Sequence, residues 1–175
     1  PYIPKHTKGS FKIMNRMGYA CINMQLSKQK PRIYTGRSMI KRTFESKGIN
    51  YASELGLQNC KDLFEIIKWN NENGFDFFRI TSNLFPWCSE YKLEDMPDHW
   101  EIAGILGEIG KYVDEHKMRL TSHPGPFNVL TSPHEHVVEN CIGDLTDHGD
   151  TFDMIGLGRT PYNKINIHIG GAYGD

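Results

Sequence analysis

The chain has 175 residues, enough for one domain with a real core. Its net charge of −1 argues neither for nor against a nucleic-acid partner, so any basic surface has to be local. Four scattered cysteines without a Cys-x-x-Cys pair suit a reduced, intracellular protein better than a disulfide scaffold or zinc ribbon, and the chain shows neither a membrane-length apolar run nor a signal-peptide pattern.

Residues 1–12 have no period and carry two prolines, which predicts an extended arm. Residues 13–175 read as one unit. Ile13 to Ala20 is a first strand interrupted by Gly18, with Tyr19 and Asn23 in or just past its end. Residues 27–58 are basic and irregular, with Lys28, Lys30, Arg32, Arg37, Lys41, Arg42 and Lys47. A solvated loop and a short helix explain that run; the functional alternative is a strip of cations along a phosphate backbone. Asn59 to Asn73 carries Leu63, Ile66, Ile67 and Asn70 at helical spacing, and Gly74 is a suitable stop. Phe75 to Ile80 is a second strand, followed by a loop from Thr81 to Glu90.

Asp98 is placed to cap a helix from His99 to His116, with Ile102, Ile105, Leu106, Ile109 and Val113 on one side. A third strand, Arg119-Leu120-Thr121-Ser122-His123, breaks at Pro124-Gly125. Ser132 is placed to cap a helix with Pro133 in its first turn and Val137, Val138, Cys141, Ile142 and Leu145 as its apolar face. Asn163 to Ile169 alternates as a fourth strand and breaks at Gly170-Gly171. The order βαβαβαβ implies a parallel α/β sheet. Four strands with three helices make about half of a TIM-type barrel, which takes ~250 residues. With Pro1 at the start and Asp175 just past a strand, the expectation is a piece of a longer polypeptide.

Two strands thus end alike, each in a histidine followed by a sharp break. Alternation puts Thr121 with His123 on one face, and Asn166 with His168 on one face opposite Ile165, Ile167 and Ile169. The carboxyl end of such strands is where ligands bind in open α/β sheets and barrels. A lone histidine is ordinarily structural or exposed; two at the same end of neighbouring strands point to a shared divalent metal. Glu90, in the loop after the second strand, is the nearest candidate carboxylate to complete it. Gly125-Pro126-Phe127-Asn128 is a rigid turn presenting an aromatic ring, which either packs under its own loop or stacks on a base. Tyr19 is a second candidate ring, against a core tyrosine with a satisfied hydroxyl. His6, His99, His116, His134, His136 and His148 are expected to be solvated or capping residues.

From about Arg16 onward the chain resembles the amino-terminal half of the UV damage endonucleases. The resemblance rests on Met17-Gly18-Tyr19 with Asn23, Phe78-Arg79-Ile80-Thr81-Ser82, Leu84-Phe85-Pro86 leading to Glu90, Leu120 to Gly125, Thr131-Ser132-Pro133, and Ile165 to Gly174, in the family's order and spacing. It implies a TIM-like barrel related to abasic-site endonucleases, holding divalent metals, typically manganese with Zn2+ or Mg2+ as alternatives. It implies nicking of duplex DNA immediately 5′ to a UV photoproduct. Carried over by position, His123 and His168 fall on metal ligands, Tyr19 and Pro126-Phe127 where the family probes the lesion, and Asn23 at a polar position nearby. The chain departs from the family in having Glu90 where a histidine is usual, and Pro126 where a glutamine is usual. No catalytic residue is assigned.

Two competing readings remain at this stage. A sugar isomerase or epimerase also places histidines at strand ends, but does not require the rings of Phe127 and Tyr19. A non-catalytic damaged-DNA-binding module would keep the aromatic turn and basic loop without most ligands. Since the family draws further ligands from strands five to eight, the 175 residues alone are expected to bind manganese weakly and not to cleave DNA. Open sheet edges make self-association an expectation too.

Overall fold

A computed structural model describes residues 16–168 and 170. The expected arm at residues 1–12, the start of the expected first strand and the glycine-rich motif beyond Gly170 lie outside the described residues.

Three strands, β1 (Gly18–Ala20), β2 (Phe77–Ile80) and β3 (Arg119–Ser122), form a parallel sheet in sequential order. Parallel neighbours need crossovers. These are helices α1 (Lys41–Glu72), α2 (His99–Glu115) and α3 (Glu135–Ile155). The expected fourth strand is reduced to a single parallel bridge between Ser122 and Ile165. There the Ser122 amide donates to the Lys164 carbonyl (2.9 Å) and the Asn166 amide to the Ser122 carbonyl (2.9 Å). The next rung of a parallel ladder would need an N–H at position 124, and Pro124 has none. The Asn166 carbonyl is taken instead by the His123 ring, at 2.6 Å.

Register puts Tyr19, Phe78 and Leu120 on one face. Phe78 and Leu120 are fully buried there against Leu63, Ile66 and Ile67 of α1 and Ile102, Leu106 and Ile109 of α2, with Phe152 and Ile155 of α3 completing the cluster. Each such side chain contributes ~1.5–3 kcal/mol by leaving water. Helices α2 and α3 meet closely: a Cβ on Gly110 would lie 1.7 Å from the Ile155 carbonyl oxygen.

The helices depart from the sequence reading in three places. Helix α1 begins at Lys41 rather than Asn59, so much of the expected irregular stretch is helical. Gly48, at φ 63°, joins two helical pieces across a kink. The first piece buries nothing before Ala52, so it leaves no apolar period in the sequence. Asp98 does occupy the N-cap of α2, but its carboxylate does not cap that helix. It accepts from the Ser53 hydroxyl (2.7 Å), while the same hydroxyl accepts from the Asp98 amide (3.0 Å). Helix α3 starts at Glu135, past Pro133, with the Ser132 hydroxyl accepting from the His134 amide outside the helix. Of the expected α3 face only Cys141 is buried, and Ile142 is 55% exposed. The buried stripe lies further along, at His148, Thr151, Phe152 and Ile155.

Candidate active site

Because the strands are parallel, everything that follows them lies at one end of the sheet: the stretch after Ala20, the loop after Ile80, His123 with its turn, and residues 166–168. Two imidazoles meet there. The Nε2 atoms of His123 and His168 are 2.8 Å apart and their ring centroids 4.5 Å. A carbonyl only accepts, so the contact to Asn166 makes His123 Nδ1 the protonated nitrogen. In the neutral ring Nε2 is then a lone pair aimed at His168. A carbonyl behind one ring nitrogen is the arrangement that orients an imidazole for a cation. The residues present therefore fit part of a metal shell, two nitrogens with the tautomer of one fixed. Among the described residues no third His, Cys, Asp or Glu joins them.

Glu90 is not brought to the pair. Trp87 takes a left-handed conformation (φ 61°), and a single 3-10 turn, Cys88–Glu90, follows. Glu90 ends up exposed, beside a cleft of about 450 Å³ lined by Tyr91, Glu139, Asn140, Asp144 and Asp147.

The aromatic turn is presented. Gly125 to Asn128 is closed by the Asn128 amide donating to the Gly125 carbonyl (3.1 Å). Pro126 and Phe127 form its tip, and Phe127 is 88% exposed. Asn128 is buried and its amide group donates to Asp144 Oδ2 (2.6 Å).

Tyr19 and Asn23 are placed differently from that turn. The Tyr19 ring packs edge-on against Phe75 (5.4 Å) and Phe78 (5.2 Å), in the helix layer. Its hydroxyl donates to Asn70 of α1 and accepts from Asn23 Nδ2 (2.6 Å). Burial raises the Tyr19 pKa above 10.0, with both asparagines opposing. This is a packed tyrosine with a satisfied hydroxyl, not a ring held out for stacking. The other end of the Asn23 amide accepts from the Gln25 and Leu26 amides (3.0 and 2.9 Å), so it shapes the loop after β1.

Within the basic stretch, Arg37 is committed structurally. It pairs with buried Asp62 at 2.8 Å and stacks on Tyr34. Lys28, Lys30, Lys41, Arg42 and Lys47 remain exposed.

The residue that sequence reasoning missed is His148. Expected to be solvated, it is 8% exposed, and its Nδ1 lies 2.9 Å from the buried Ser122 hydroxyl. Its Nε2 lies 4.0 Å from Asp144 Oδ2. Burial holds its pKa below 6.5, with Asp144 pulling the other way and His123 adding to the depression. Spacing could have found it: Cys141, His148, Phe152 and Ile155 recur at helical intervals on one face. Near it, burial beside Asp147 pushes the Cys88 thiol up to about 12. His116, at the C-cap of α2, takes the capping role expected of it, its ring 2.9 Å from the Tyr112 carbonyl, whereas His99 is half-buried with its ring 2.9 Å from the Leu93 carbonyl of the preceding turn.

Comparison with known proteins fixes the lineage of the chain. Residues 15–175 match the family model described as UV-endonuclease UvdE. The chain belongs to the UV-endonuclease family. A putative UV-damage endonuclease of Acanthamoeba polyphaga mimivirus is 37% identical over 161 residues, covering 91% of this chain and 48% of that protein. The UV-damage endonuclease of Schizosaccharomyces pombe is 35% identical over 165 residues, covering 90% of this chain and 26% of its own length. The crystal structure of SacUVDE superposes with a TM-score of 0.73 at 30% identity, over 89% of this chain and 50% of that one. The fold is accordingly α/β and TIM-barrel-like, about half a barrel in this chain. The chain spans less than half the length of these two curated relatives. Among the described residues no helix is long and apolar enough to cross a membrane.

Proposed function

We propose that this chain contributes the amino-terminal part of a metal-dependent endonuclease that nicks duplex DNA 5′ to UV photoproducts, acting inside the cell where DNA is. The observation that carries the reading is the pair of imidazoles 2.8 Å apart, at the same sheet end as a turn whose ring is 88% exposed. His123 and His168 would hold a divalent cation, manganese being the family's usual ion and Zn2+ or Mg2+ the alternatives. Such an ion supplies Lewis acidity toward a phosphodiester. The protein's own contribution is to orient. Asn166 fixes the His123 tautomer, and the turn at Asn128 holds Phe127 out where it can enter a distorted base stack. The exposed lysines and Arg42 would follow the phosphate backbone. A small sugar substrate gives the presented ring no role, which favours DNA over an isomerase reaction. Glu90 as a ligand would require its loop to move, and the oxygen ligands are sought instead in the rest of the barrel.

The test has two arms. Manganese binding, read by calorimetry on the 175-residue chain, should be weak and fall further, by more than about tenfold, in His123→Ala and His168→Ala. Nicking of irradiated plasmid should be absent from the chain alone. It should appear when the carboxyl-terminal half of the mimivirus relative is co-expressed with it. Robust nicking by the chain alone overturns the half-barrel reading. Manganese binding indifferent to both histidines overturns the metal assignment.

A further inference from the structure

Phe127 is an apolar ring with almost no support of its own. Its side chain is 88% exposed, and the turn that carries it has one internal backbone bond, of 3.1 Å. An exposed four-residue turn closed by one bond does not by itself hold a ring in a fixed direction. What ties the turn to the body of the protein is Asn128, immediately after the ring. Its amide nitrogen donates to the Gly125 carbonyl at 3.2 Å and to Asp144 Oδ2 at 2.6 Å. Asn128 is 8% exposed, and the acceptor of this second bond is a half-buried carboxylate on α3. A weaker contact runs beside it, the Cys141 thiol pointing at the Phe127 carbonyl at 3.9 Å.

The same carboxylate oxygen faces the other functional element. Asp144 Oδ2 lies 4.0 Å from His148 Nε2, and His148 Nδ1 lies 2.9 Å from the hydroxyl of Ser122, the residue before His123. One acid of α3 therefore has the aromatic turn on one side and the end of β3 on the other. We propose that Asp144, through Asn128, is the positioning residue for Phe127. It sets the ring's direction relative to the histidine pair and thereby the preference for damaged over undamaged duplex. The inference rests on the DNA reading above and adds a specificity-determining contact to it. Asp144 touches no substrate; it acts through Asn128.

The contact predicts a graded series. Asn128→Ala and Asp144→Ala remove donor and acceptor in turn. Asp144→Asn keeps an acceptor oxygen for Asn128 and should behave close to wild type in this respect. Two readouts are taken on the 175-residue chain. Hydrogen exchange of the amides of residues 125 and 127–130 reports the turn without any ligand. Fluorescence anisotropy with irradiated and untreated duplexes of the same sequence reports preference, with Phe127→Ala as reference.

The expected result is faster exchange confined to the turn in Asn128→Ala and Asp144→Ala. It is accompanied by about a tenfold loss of preference for irradiated DNA, some 1.4 kcal/mol. Affinity for untreated DNA should be unchanged, and Asp144→Asn should retain both properties. Unchanged exchange in Asn128→Ala and Asp144→Ala overturns the proposal. So does faster exchange with preference intact while Phe127→Ala loses it. If Phe127→Ala keeps its preference, the DNA reading of the turn falls first, and the positioning role falls with it.

Discussion

Replacing Gly110 by alanine should unseat α3 from α2, although alanine is the better helix former. In an open helix interior a Gly→Ala change stabilises by ~0.5–1 kcal/mol. Gly104 and Gly107, on the same helix, meet nothing within 4 Å of an added Cβ, so both should show that gain. At Gly110 the added carbon would sit 1.7 Å from the Ile155 carbonyl oxygen and 2.9 Å from its carbon. The obstacle is backbone, with no rotamer to swing aside, and Ile155 is the last residue of α3. The helices have to separate by roughly an ångström, which belongs at the upper end of the ~1–3 kcal/mol of overpacking costs. Net of propensity, Gly110→Ala should lose about 2 kcal/mol. Gly104→Ala and Gly107→Ala should each gain up to about 1. At this chain length 1 kcal/mol moves Tm by ~2–4 °C. Circular dichroism melts should then show Gly110→Ala about 4–8 °C below wild type and the other two slightly above it. Equal or higher Tm for Gly110→Ala would refute the claim that α2 and α3 pack through a backbone contact here.

Three other outcomes follow from the same packing. His148 is held neutral by burial, its pKa below 6.5, so the unfolded chain takes up a proton that the folded one resists. Stability should be full above about pH 6.5 and fall as pH drops through that value toward the depressed folded pKa. Urea midpoints between pH 5 and 8 should show that slope, weakened in His148→Gln; an unchanged slope argues against the buried assignment. Asn59 is fully buried, donates to the Arg37 and Leu84 carbonyls (3.1 and 2.9 Å) and accepts from the Arg37 amide (3.0 Å). Asn59→Ala should cost about 3 kcal/mol, read as a lower urea midpoint at constant m, because it strands buried backbone groups of two loops. The outer edge of β1 is unpaired among the described residues, and the far edge of β3 is covered there by a single bridge, at Ser122. Sedimentation should show concentration-dependent association of the isolated chain. A monomer across the micromolar range would count against it.

What the sequence discloses here depends on which side of each element meets solvent. Helix α2 was readable because its buried side, Ile102, Leu106, Ile109 and Val113, is apolar throughout. The start of α1 was not, because it buries nothing before Ala52 and so has no periodicity to detect. The histidine pair was visible as two alternating runs ending in the same residue, and the structure does bring those rings together. Its surroundings were less visible. Tyr19 and Asn23 look the same in a motif whether they face a ligand or each other; only the register with Phe78 shows that the tyrosine turns toward the helices. Glu90 depends on a left-handed Trp87, which no local propensity demands. His148 was hidden by its type, since a histidine on an otherwise mixed helix is ordinarily at the surface.

Pro124 makes the dipeptide His123-Pro124 an indivisible unit. An imino acid leaves the Asn166 carbonyl free, and the neighbouring ring claims it. Any other residue at 124 could bring its own N–H to that oxygen, zip the edge of the sheet by one further step, and turn the imidazole loose. The protonation pattern of a would-be ligand is thus encoded by what its neighbour lacks. Engineering that transplants the histidine without the proline should carry the side chain across and leave its chemistry behind.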